Sequence, residues 1–137
     1  MLIRFAIAGH YFKTKNYNAA LTIINELIDA KDIELRKDIQ AHTRMMYLIL
    51  HFELKNTLIL ESITRSVKRY LQQNENYFVT ERVFIKHFNK LIYSTNSAEA
   101  DKIINELKVE VVEIFESNIN EKIAFTTMPL SHWLDLY

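Results

Sequence analysis

The five histidines are the side chains of this sequence best suited to acid–base or metal chemistry. They are His10, His42, His51, His87 and His132. None stands in an HExxH or H-x-x-E pattern, which would place two metal ligands on one helical face. His51 and His87 fall where helical periodicity predicts the protein core. We therefore expect hydrogen-bonded residues at the core edge there, and neither a catalytic residue nor a metal ligand.

The other candidates for chemistry are equally weak. Glu110, Glu113 and Glu116 follow a spacing that could gather a cation, but carboxylates on a solvated helix face are the commoner explanation. The chain has no cysteine, which excludes disulfides and thiolate-bound zinc. Gly9 is the single glycine, so no glycine-rich phosphate loop can form. We predict a protein that is not an enzyme and has no cofactor and no metal. An enzyme with an unrecognised site is the remote alternative.

The charge balance bears on nucleic-acid binding. Seventeen basic and seventeen acidic residues cancel, which disfavours a sequence-independent nucleic-acid binder. The middle of the chain is nevertheless basic, through Arg36, Lys37, Arg44, Arg65, Lys68 and Arg69. A regulatory domain that recognises a polyanion through this unit is the alternative function. Salt bridges to Glu53, Glu61 or the acidic third unit are the simpler explanation of these cations.

The elements that must position any site are helices. One glycine and one proline stand where average usage would supply roughly ten and seven, and strand-rich folds need such turn residues at short intervals. The longest apolar run, Met45 to Leu50, is far short of the roughly 20 residues needed to cross a bilayer. We expect an all-α, cytoplasmic protein with no membrane segment.

A repeat of 40 residues organises the chain. The pentapeptide IINEL occurs at 23–27 and again at 103–107, and LESITRSV (60–67) stands midway in the same register. An asparagine precedes each segment at the same offset, at Asn16, Asn56 and Asn96. Asparagine suits helix N-caps and turns. Three polar turns in step, each followed by an amphipathic run, indicate a tandem repeat.

The repeat predicts one domain, 1–137, with units at about 1–32, 33–75 and 76–118 and a capping segment, 119–137. The expected helices lie near 2–14, 17–29, 34–54, 57–73, 78–94 and 97–117, and a short last helix starts around Pro129. Polar connectors are expected at 30–33, 74–76 and 118–121. The predicted buried stripe of the second helices is Ile23, Ile24, Leu27, Ile63, Val67, Ile103, Ile104 and Leu107.

Unit one, YFKTKNYNAALTIINEL, resembles a tetratricopeptide repeat. The positions that carry the resemblance are Ile7, Ala8, Tyr11, Tyr17, Ala20, Ile24 and Leu27. The later units depart from it, since the period is 40 rather than 34 and Lys15 stands where that family often has glycine. The resemblance implies antiparallel helix pairs stacked as a short right-handed α-α superhelix. AFTTMPLSHWLDLY is similar to the C-terminal end of such arrays in uncharacterised bacterial proteins.

The resemblance implies a protein–protein interaction scaffold with a concave face lined by the first helix of each pair. The rungs of this predicted groove are Leu2, His42 and Arg82; Phe5, Met45 and Ile85; Gly9, Ile49 and Asn89; and Lys13, Glu53 and Tyr93. A protein or peptide partner is expected to bind there. Met45→Glu and Tyr93→Ala are then expected to abolish partner capture with little change in thermal stability.

The two ends of the chain lead to different expectations. Leu2, Ile3 and Phe5 make the N-terminal end apolar, which predicts further repeats before residue 1 or self-association through this helix. At the other end, Trp133 and Leu134 are expected to close the array as a capping helix.

Overall fold

Helices make up all the regular secondary structure in the described part of the chain. A computed structural model describes residues 2–29, 37–73, 78–125 and 128–137. The helices are α1 (Leu2–Lys13), α2 (Tyr17–Asp29), α3 (Lys37–Glu53), α4 (Thr57–Gln73), α5 (Val79–Leu91), α6 (Ser97–Ser117), α7 (Ile119–Ala124) and α8 (Leu130–Leu134). The predicted all-α class is confirmed. No described helix is long and apolar enough to cross a membrane.

Helix boundaries agree with the sequence-based prediction except near the C-terminal end. The predicted connector at 118–121 is wrong, because α7 begins at Ile119. Asn118 starts this helix, since its side-chain oxygen accepts hydrogen bonds from the amides of Asn120 and Glu121. Helix α5 ends at Leu91 instead of near residue 94. The predicted connectors at 30–33 and 74–76 lie outside the described residues.

The three predicted asparagine turns each precede a helix, as expected. The side-chain oxygen of Asn96 accepts a hydrogen bond from the amide of Glu99 at 2.8 Å, and that of Asn16 accepts one from the amide of Ala19 at 3.4 Å. Both bonds satisfy a donor at a helix start. Asn56 directs its side chain back to the preceding helix instead.

The first two turns share one backbone geometry. Lys15 and Lys55 have φ angles of 63° and 59°. The amides of the following residues, Asn16 and Asn56, bond to the carbonyl five residues earlier at 2.8 and 3.0 Å. A left-handed residue followed by such a bond is the Schellman ending of a helix, which favours glycine at the left-handed position. This geometry gives a physical reason why glycine would suit the position of Lys15.

Replacing Lys55 by glycine is expected to stabilise the protein by about 0.5–1 kcal/mol. Glycine carries no Cβ penalty in the left-handed region, and the extra freedom of the unfolded chain offsets part of this gain. Chemical denaturation of both proteins measures the difference. Lys68→Gly is the matched control, because this exposed site inside α4 should lose about 1 kcal/mol. A destabilised Lys55→Gly variant would contradict the assigned turn geometry.

The buried residues of α2, α4 and α6 recur with the predicted spacing of 40 residues. Ile24, Thr64 and Ile104 are buried, as are Leu27, Val67 and Leu107, whereas Ile23, Ile63 and Ile103 are half-buried. Each helix from α1 to α6 packs against the next along the chain, α1 also contacts α3, and α6 contacts α8. Much of the predicted stripe is therefore buried.

The expectation for the N-terminal end needs one correction. Ile3 is 74% exposed, in agreement with an apolar outer face, but Phe5 is only 2% exposed. Phe5 belongs to the continuous hydrophobic core together with Ala8 and Phe12 of the same helix. Its side chain is therefore not available to a preceding segment.

Candidate functional site

The apolar rungs of the predicted groove lie in the protein core. Phe5, His42, Met45, Ile49 and Ile85 are all buried, with exposures of 2%, 0%, 0%, 0% and 9%. Side chains without solvent contact cannot touch a partner at the surface. The prediction that these five side chains line an open groove is therefore wrong.

Most polar residues of the predicted groove are exposed, whereas Glu53 is half-buried. Lys13, Arg82, Asn89 and Tyr93 are exposed. Gly9 is buried in α1, and a Cβ added there would meet no atom within 4 Å. Close packing inside the molecule therefore does not require a glycine at this position. The side chain of Leu2 lies outside the described residues.

The C-terminal segment (residues 128–137) packs against the helices that carry the predicted groove. Its anchor is Trp133, which is fully buried and donates a hydrogen bond from Nε1 to Oε1 of Glu53 at 2.9 Å. The hydroxyl of Tyr137 donates to the same oxygen at 2.6 Å. One carboxylate of α3 therefore binds two aromatic donors placed four residues apart.

The environment of Glu53 raises the pKa of nearby phenols. Burial and then the hydrogen bond to Glu53 raise the pKa of Tyr137 well above its ordinary value. Burial and then the charge of Glu53 raise the pKa of Tyr17. Both phenols are neutral at physiological pH, so Tyr137 keeps the proton that it donates to the carboxylate.

Aromatic contacts join the C-terminal segment to each of the three first helices. The Trp133 ring meets Phe52 of α3 at 6.1 Å and Phe84 of α5 at 6.3 Å, both edge to face. The His132 ring meets Phe12 of α1 at 6.1 Å. Edge-to-face pairs contribute beyond the burial of apolar area. The segment therefore lies across α1, α3 and α5, and through Glu53 it contacts the predicted groove.

Two further contacts fix the segment and the residues before it. Lys108 of α6 pairs with Asp135 at 3.2 Å. Phe125, which follows α7, packs its ring 4.6 Å from that of His42 and 5.7 Å from that of Phe78. The buried rung residue His42 thus contacts aromatic rings from two other parts of the chain.

His51 and His87 are buried and hydrogen-bonded, as the sequence predicts. His51 is 6% exposed, and its Nδ1 lies 2.9 Å from Nδ2 of Asn56. His87 is 4% exposed, and its Nε2 lies 2.8 Å from Oε2 of Glu110. The hydrogen bond with His87, followed by weaker attraction to Lys86, holds the pKa of Glu110 below its ordinary value.

The His87–Glu110 pair lies in a shallow cleft of about 680 Å³ between α5 and α6. Three lysines, Lys86, Lys90 and Lys102, line it with the exposed Val109. Across residues 2–29, 37–73, 78–125 and 128–137, no group of three or more histidine, aspartate or glutamate side chains is arranged to hold a metal ion. Glu110 bonds to His87 and Lys86 instead of joining Glu113 and Glu116 around a cation.

Two arginines of the basic middle have partners within their own unit. The Arg44 guanidinium carbon lies 3.7 Å from the centre of the Tyr70 ring, a cation–π geometry. Arg65 pairs with Glu61 at 3.5 Å, whereas Glu53 accepts hydrogen bonds from Trp133 and Tyr137. The charges of Arg44 and Arg65 are therefore paired with groups of the same molecule.

Comparisons with protein-family models, with the curated proteins and with the solved structures found no significant match for this chain.

Proposed function

We propose that this protein is a non-catalytic scaffold that binds a helical peptide segment of a partner protein on the face formed by α1, α3 and α5. The observation that carries the proposal is the seating of the C-terminal segment on that face. It is a short helix held by one buried tryptophan, two hydrogen bonds to Glu53 and aromatic contacts. An amphipathic helix in an apolar groove is a recurring mode of peptide recognition.

The proposal takes the helices as antiparallel pairs stacked in a short right-handed superhelix, similar to a tetratricopeptide array. The matching turns at Lys15 and Lys55 and the burial register of the second helices support it. Helix α7 also begins 40 residues after α5. In this arrangement α7 and α8 are the broken first helix of a fourth unit, and α8 turns back over the earlier units.

The chemistry of the segment defines the partner. Trp133 and Tyr137 carry an indole N–H and a phenol O–H four residues apart in the chain, and both reach Glu53. Leu130 and Leu134, which are also four residues apart, are both buried. A partner that replaces the segment would present an aromatic donor, a second aromatic donor four residues later and leucine-sized residues on the same face.

Selection from a display library of short random peptides tests the proposal. The baits are the full-length protein, its Trp133→Ala variant and the double variant Trp133→Ala, Glu53→Ala. We expect peptides with Trp or Tyr at positions four apart to be enriched on the single variant. They should be depleted on the wild-type protein, where Trp133 occupies the face, and on the double variant, where the acceptor is missing. Equal enrichment on all three baits, or none, would contradict the function.

A further inference from the structure

A pair of buried carboxyl groups joins α7 to α5, outside the face of the first helices. Glu81 of α5 is 3% exposed and Glu121 of α7 is 5% exposed. Acidic side chains are almost never buried this completely without a partner. Hydrogen bonds from Thr80 to Glu121 join α5 to α7 beside Glu81, so the charge state of the two carboxyl groups acts on the packing of these helices.

The two carboxyl groups have very different surroundings. Glu121 Oε1 accepts hydrogen bonds from the amide of Thr80 at 2.9 Å and from its hydroxyl at 2.8 Å. These donors are in the first turn of α5, where the helix dipole also favours a negative charge. Glu121 therefore has donors that stabilise its ionised form.

Glu81 lacks such stabilisation. Its Oε1 is buried and finds no hydrogen-bond partner in the described residues. Burial first, and then the charge of Glu121, raises the pKa of Glu81 to about 8. Among the other groups that face it, Arg82 lowers this pKa and Asp38 of α3 raises it.

We propose that Glu81 is a proton latch that holds α7 against α5 while it is protonated and lets α7 separate once it ionises. Ionisation places a second negative charge near Glu121 in a buried site, and the two helices can relieve this repulsion by moving apart. The C-terminal segment follows α7 directly along the chain. Opening of the latch would therefore free the face of the first helices, and this regulatory consequence alone rests on the proposed function.

The direction of the pH dependence follows from linkage. In the unfolded or opened chain Glu81 titrates near its ordinary value of 4.5, whereas in the closed state it titrates near 8. The closed state thus keeps a proton that the open state releases. The stabilisation is fully present below about pH 4.5 and is lost as the pH rises towards 8, by about tenfold in the closing equilibrium per pH unit.

The fluorescence of Trp133 can report whether the latch is open, because Trp133 is the single tryptophan and lies in the C-terminal segment, which follows α7 in the chain. Quenching of its fluorescence by acrylamide is measured on the full-length protein from pH 4 to 9, with helix content followed in parallel by circular dichroism. We expect quenching to rise between about pH 4.5 and 8, where the closing equilibrium weakens, while the helix content is largely retained. No rise, or a rise only when the helices unfold, would overturn the latch.

Variants assign the transition to Glu81. Glu81→Gln cannot ionise and should abolish the rise, whereas Glu106→Gln, an exposed site on α6, should leave it unchanged. Arg82→Gln is an exposed change that removes the cation stabilising ionised Glu81 in the closed state, so the closed state should be lost more completely and the midpoint should move to lower pH. This second variant tests the latch even where Glu81→Gln folds poorly. A midpoint unaffected by Arg82→Gln and by Glu81→Gln would overturn the proposal.

Discussion

Met45→Glu is expected to destabilise the protein by more than about 4 kcal/mol, because it places a carboxylate in a fully buried site. Met45 is 0% exposed and belongs to the continuous hydrophobic core. Small domains are stable by about 5–15 kcal/mol, so such a loss leaves a large unfolded fraction. Urea denaturation, or loss of helical circular dichroism at room temperature, measures it. This result replaces the sequence-based expectation of unchanged thermal stability.

Tyr93→Ala is the matched comparison from the same set of predicted groove residues. Tyr93 is 57% exposed, and substitutions at such surface positions usually change stability by no more than about 0.5 kcal/mol. Equal stability of the Met45→Glu and Tyr93→Ala variants would contradict the burial of α3 against its neighbours. The predicted effect of Tyr93→Ala on partner binding stays a prediction.

Trp133→Ala is expected to cost about 3–5 kcal/mol, the usual range for removing a large buried aromatic side chain. The indole fills the space between Phe52 and Phe84, and its loss also removes one of the two donors to Glu53. Thermal or chemical denaturation, followed by circular dichroism because the tryptophan is absent, gives the change in unfolding free energy.

Two conservative variants separate packing from hydrogen bonding at this site. Trp133→Phe keeps a ring but loses the N–H donor to a charged acceptor, which is worth about 1.5–3 kcal/mol. Tyr137→Phe loses only a hydroxyl on a side chain that is 38% exposed, so its effect should be smaller. A Tyr137→Phe variant as unstable as Trp133→Ala would show that Trp133 does not anchor the segment.

Local patterns in the sequence were sufficient to predict most of the helices. The asparagine turns and the apolar periodicity around Ile23, Ile63 and Ile103 can each be recognised from a short stretch of the chain. The helices that these patterns predict agree with the structure. Helix α7 was missed because its start depends on the side chain of Asn118, within a polar stretch that resembles a connector. The left-handed backbone at Lys55 was missed because lysine there gives no signal of positive φ.

The covered face could not be predicted from spacing within a repeat. Glu53 and Trp133 are 80 residues apart, and nothing in either segment alone indicates their contact. One signal was nevertheless present. Residues 45–50 are apolar around the whole helix, and a helix that is apolar on every side is buried, not half-exposed along a groove. The burial of Glu81 and Glu121 has no comparable signal, because both residues resemble surface glutamates in the sequence.

Binding of a synthetic peptide of residues 128–137 to the full-length Trp133→Ala variant tests the central claim most directly. The peptide then carries the single tryptophan, so burial of its indole appears as a blue shift of the emission. We predict a saturable blue shift and a raised thermal midpoint of the variant, both absent with a peptide that has alanine in place of tryptophan. No shift, or equal binding of both peptides, would contradict a peptide-binding face on α1, α3 and α5.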